Sequence, residues 1–167
     1  MRFLLKVTTI IFAVFLAIPN VSFAQSIDSA NGLRRLIVPL ETSRERVEDL
    51  LGSPVAGDDI YDTPKFRITI WYSGKSKRPS CNWGVPDGTV IRVFVTPKNR
   101  PPLSELGFDM SGSKRLKTED DEVWDYVNEI KGLTVEVYTP LAGASDEMVI
   151  FFDYSAPQKE LDKRCPN

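Results

Sequence analysis

Strict alternation between residues 66 and 72 constrains this chain more than any other feature. Phe66, Ile68, Ile70 and Tyr72 are separated by Arg67, Thr69 and Trp71. A period of two sends alternate side chains to opposite faces of an extended segment. The run therefore predicts a half-buried β-strand, with Trp71 on its polar side. Thr89 to Thr96 is apolar nearly throughout, which predicts a strand in the centre of a sheet. Glu122 to Ile130 alternates again, with Trp124, Tyr126 and Ile130 on one side and Val123 and Val127 on the other. Leu133, Val135 and Val137 resume the period after Lys131-Gly132, so these two runs predict a hairpin. Glu147 to Tyr154 predicts a further strand, with Met148, Ile150 and Phe152 on one side, and Asp59 to Asp62 a short one.

Helical signals are fewer. Thr42-Ser43-Arg44-Glu45 fits a capping box, in which a Thr hydroxyl and a Glu three residues later satisfy the first free amides. Val47, Leu50 and Leu51 follow at i, i+3 and i+4, Gly52 can take a left-handed cap, and Pro54 forbids continuation. A helix over 43–51 is predicted. Leu103 to Leu106 reads as one helical turn closed by Gly107. The expected fold is α+β: one or two short helices packed on an antiparallel β-sheet of five to seven strands. A single domain over 36–157 is expected, with candidate halves 36–97 and 103–157. Residues 25–35 read as a flexible arm and 158–167 as a charged tail. The spacing of Leu51-Gly52 and Leu106-Gly107 allows a loose internal duplication.

The first residues point to export. Arg2 and Lys6 precede an apolar run, Val7 to Ile18, that Pro19 ends, and Ser22 and Ala24 form a small-x-small cleavage site. A membrane-spanning helix needs about 20 apolar residues, and this run falls short of that. Residues 1–24 are read as a signal peptide cleaved after Ala24. The expected location is periplasmic or secreted, with no stable membrane anchor after cleavage. The leader carries two of the 21 basic residues and none of the 23 acidic ones. The remaining chain is therefore acidic on balance, which argues against a nucleic-acid partner. The basic cluster Lys75, Lys77 and Arg78 lies among Gly and Ser and reads as a solvated loop.

The chain contains no His. That removes Ser-His-Asp and Cys-His triads, His-ligated zinc and the usual proximal haem ligand. Cys81 and Cys165 are the only cysteines. In an oxidising compartment they are expected to pair; two inert thiols, or a reactive thiol with no His or CxxC partner to lower its pKa, are the alternatives. No phosphate-binding Gly loop is present, and no cofactor or resident metal is expected. Glu119-Asp120-Asp121-Glu122 lacks the alternation and Gly of a calcium loop and reads as a solvated turn. Asp58, Asp59 and Asp62 are the candidates for a hydrolytic carboxylate pair. Asp62-Thr63-Pro64 departs from an aspartic-protease loop at the Pro.

The stretch Pro39 to Pro54, with Thr42, Ser43, Val47 and the closing Leu51-Gly52-Ser53-Pro54, resembles the opening of BamE/SmpA-type domains. These are similar in turn to the β-lactamase-inhibitor-protein-like fold. The resemblance implies short helices before an antiparallel sheet and a protein-binding role. BamE-type members are outer-membrane lipoproteins that help assemble β-barrels, and this chain lacks their lipidated Cys. Over most of its length it also resembles small uncharacterised exported bacterial proteins. Those share the helix, the Cys81, Trp83, Val85, Pro86, Thr89, Val90 and Ile91 pattern, and a Cys near the C-terminus.

The candidate binding surface is aromatic: Trp71, Trp83, Trp124 and Tyr126, residue types enriched where interfaces carry their energy. The expected function is that of an exported, non-enzymatic protein-interaction or envelope-associated domain, with an envelope protein as the candidate partner. The alternative is an exported carboxylate-dependent hydrolase.

Overall fold

A computed structural model describes residues 27–55, 59–74, 83–139 and 146–165. Within them the chain forms α1 (Ala30–Leu36), α2 (Arg44–Leu51), β1 (Ile60–Asp62), β2 (Phe66–Tyr72) and β3 (Val90–Pro97). A 3₁₀ turn follows at Leu103–Leu106, closed by Gly107 at φ 64° as its sequence predicts. Then come β4 (Lys114–Lys117), β5 (Val123–Asn128), β6 (Leu133–Tyr138), β7 (Met148–Ser155) and α3 (Gln158–Arg164). The architecture is α+β, as expected, but richer in helix. The strands make one seven-stranded sheet in the order β1-β2-β3-β7-β6-β5-β4, and every pairing is antiparallel. Two meanders, β1–β3 and β4–β7, meet where β3 pairs with β7.

One face of this sheet carries the core. Ile68, Ile70, Val93, Val95, Leu133, Val135, Phe152 and Tyr154 are buried there together with Leu33 and Ile37 near α1 and Val47 of α2. Aromatic edges knit the centre: Phe152 meets Phe66 at 6.3 Å and Phe108 at 5.0 Å, both near perpendicular. Edge-to-face geometry suits the ring quadrupoles. The inner face is the one that α1 and α2 cover. The opposite face is called outer below.

Several local expectations need correction. Residues 25–35 are not simply an arm, because α1 occupies Ala30–Leu36. Ser29 caps it by accepting from the Gly32 amide at 3.0 Å. Ile27, Ala30, Leu33 and Ile37 then face the core, a helical stripe disguised by small polar residues between its members. The tail is not irregular either, since α3 fills Gln158–Arg164. No residue of α3 is fully buried, so no apolar stripe announces it. The capping box shifts by one residue: Ser43 caps α2 by accepting from the Arg46 amide at 3.3 Å. Thr42 instead accepts from the Val38 amide at 2.8 Å and secures the turn before the helix. Ile130 is no strand residue but stands 85 % exposed in the β5–β6 turn.

The expected facing of β7 is also overturned. Glu136 pairs with Phe151 and Val137 with Val149, so Ile150 is an extra, bulged residue. The bulge resets the alternation. Val149 and Phe152 both point into the core, fully buried, while Phe151 and Asp153 lie on the outer face.

Candidate functional site

The four aromatic candidates divide between the two faces. Trp124 and Tyr126 pair with the buried Val137 and Val135, so they lie on the inner face. The Arg115 guanidinium stands 4.0 Å from the Trp124 ring centre, and Tyr126 donates to Glu147 at 2.8 Å. Arg115 also pairs with Glu147 at 2.5 Å. Burial first, and then the hydrogen bond to Glu147, push the Tyr126 phenol upward. These two rings are packed and bonded within the domain.

Trp71 is on the outer face and 57 % exposed. It stands there because Ile70 and Tyr72 on either side of it point into the core. Its cross-strand partner is Arg92, whose guanidinium lies 5.4 Å from the Trp71 ring centre. Arg92 is ion-paired with the nearly buried Asp153. Burial holds the Arg92 pKa below its ordinary value. The exposed indole is therefore braced by a fixed cation rather than loose on the surface.

Beside Trp71 lies a cavity of about 880 Å³. Arg92, Asp153 and Thr134 line it, and so do Trp83 and, from α3, Leu161 and Cys165. Arg164 of α3 donates to the Trp83 carbonyl and pairs with Glu160 at 2.9 Å. The Gln158 amide donates to the Glu129 carbonyl at 3.1 Å. Trp71 and Trp83 thus border one hollow, with the C-terminal helix as part of its rim. No free cysteine occurs among the described residues. Cys81 lies outside them, so its bridge to Cys165 stands as a proposal.

The acidic candidates sort by their partners. Asp58 lies outside the described residues. Asp59 is held by Arg44 at 2.6 Å, and Asp62 by Lys98 at 3.0 Å. The 119–122 run forms part of the β4–β5 turn, where Asp121 pairs with Lys117 and Asp120 accepts from the Glu122 amide.

Two carboxylates that single-strand reading missed come together on the outer face. Asp125 of β5 is the direct partner of Glu136 of β6. Burial lifts the Asp125 pKa above the usual carboxylate range; burial first, and then the Asp125 charge, lift that of Glu136. A carboxyl with a raised folded-state pKa binds its proton more readily folded than unfolded. Stability therefore grows as pH falls through that raised value and is given up as pH rises. Asp125→Asn is expected to raise the unfolding free energy at neutral pH by about 0.2–1 kcal/mol, the cost of opposed like charges. The gain should shrink toward zero on acidification. Urea titrations across pH would measure it, and no gain at neutral pH would show that the pair does not repel.

The chain matches no protein-family model, no curated protein and no solved structure.

Proposed function

We propose that this chain is an exported, non-enzymatic binding domain that meets a protein partner through its outer sheet face. The observation that carries this reading is Trp71, a large ring more than half exposed yet braced by Arg92 and Asp153. Trp and Arg are the side chains most often found at energetic centres of interfaces, and a pre-organised pair loses little entropy on docking. The α2 motif that resembles BamE/SmpA-type domains supports a protein-binding role by fold analogy. A carboxylate hydrolase is the weaker reading. Asp59, Glu129, Asp153 and Asp162 line the cavity, but Asp59 and Asp153 are held by Arg44 and Arg92, as Asp62 is by Lys98, and neither Asp125 nor Glu136 lines it.

The test places a photo-crosslinking residue at position 71, and separately at exposed position 130, in the full chain within its native envelope. A discrete protein adduct is expected from position 71 and not from 130. Equal labelling at both positions, or none at 71, would discard the outer face as the contact surface.

A further inference from the structure

The outer face carries a row of side chains across four strands. Leu116 pairs with Asp125, Asp125 with Glu136, and Glu136 with Phe151. Directly opposed residues in such a ladder stand about 4.5–5.5 Å apart at Cβ, so the two carboxylates are immediate neighbours. Among the described residues neither makes a hydrogen bond or ion pair, and Asp125 Oδ1 is sealed from solvent without a partner. The cations on this face leave them alone: Arg92 is engaged with Asp153, and Lys114 lies on the neighbouring row opposite Val127.

The two ends of the row are apolar. Leu116 is 48 % exposed at one end of the row. Phe151 at the other end packs against Phe94 at 4.5 Å. The arrangement therefore offers two unmet negative charges between two apolar flanks. Two carboxylates on an open sheet supply fewer oxygens than the six to eight that calcium takes. A long basic side chain fits better, because its methylene stem can lie on Leu116 or Phe151 while its head meets both carboxylates.

We propose that this face docks a partner polypeptide by one of its lysine or arginine side chains, received between Asp125 and Glu136 and flanked by Leu116 and Phe151. The inference rests on the outer face being the contact surface and adds the chemistry of what is contacted. It gives a role to two opposed acids whose mutual repulsion is a stability cost, a trade often made at functional surfaces.

The experiment uses the full chain in its native envelope with the crosslinker at position 116, and in parallel at 71. The adduct from 116 should map to a partner peptide carrying Lys or Arg within two residues of the attachment point. In D125N/E136Q its yield should fall about ten-fold or more, while the thermal midpoint is unchanged or higher, so that unfolding cannot explain the loss. Raised salt should also lower the yield. A Glu136→Lys chain should recover the adduct when the mapped basic residue is changed to Glu. Undiminished yield in D125N/E136Q, or a mapped peptide without a basic residue, overturns the inference and leaves the position-71 contact standing. Absence of adducts at both positions removes inference and contact surface together.

Discussion

Gly132→Ala is expected to lower the unfolding free energy by about 2–6 kcal/mol. Gly132 enters β6 at φ 58°, a backbone region that costs an L-residue about 1–3 kcal/mol. A methyl group there would overlap the Ser155 carbonyl oxygen and stand 2.8 Å from that of Ala156. Both atoms belong to backbone at the end of β7, where the Ser155 amide donates to the Gly132 carbonyl at 2.9 Å. The chain cannot yield there without opening the ladder, and overpacking of this kind costs a further 1–3 kcal/mol, roughly. Gly112→Ala provides the comparison. It shares a positive φ of 77°, but the nearest atom to an added methyl is 3.8 Å away. Only the backbone share, about 1–3 kcal/mol, should be lost there. Urea unfolding followed by Trp fluorescence would measure both. A Gly132→Ala loss no larger than that of Gly112→Ala would mean the β6–β7 contact is looser than described.

Phe152→Ala should cost about 3–5 kcal/mol, the usual range for a buried aromatic. Phe152 is fully buried at the centre of the sheet, opposite Val95 of β3 on one side and Val135 of β6 on the other. Its ring touches Phe66 from the first meander and Phe108 from the connector. Removing it leaves a hole shared by both meanders. A single cooperative transition at a lowered thermal midpoint is therefore expected. A loss below about 1 kcal/mol, or two separated transitions, would show that the meanders hold separate cores.

Much of the fold is legible in the sequence wherever one face of an element is buried and the other wet. β2 alternates because its odd and even residues meet different media, and the same alternation singles out Trp71 as exposed. β3 reads as almost continuously apolar because Phe94 on its outer face also packs, against Phe151, while Val93 and Val95 fill the core. What escapes reading has no such contrast. The four residues of β4, Lys114 to Lys117, are all exposed. α3 buries no side chain fully and depends on hydrogen bonds to Glu129 and Trp83. Strand order is invisible too, because the pairing of β7 with β3 depends on contacts far apart in the chain.

The candidate site divides in the same way. Trp71 shows itself by its place in the alternation of one strand. Asp125 and Glu136 each look like an ordinary polar residue in a half-buried strand. Only the register between β5 and β6 sets them side by side. Trp124 and Trp71 look alike in sequence, and the strand register places them on opposite faces.

The strand that unites the sheet is the last one made. β7 lies between β3 and β6, so the earlier six strands form two unfinished ribbons. Each ends in an unsatisfied hydrogen-bonding edge, a template for wrong partners. While a ribosome still holds residues 148–155, the fold cannot close. Strand order thus builds in a delay that lasts until the final span is released.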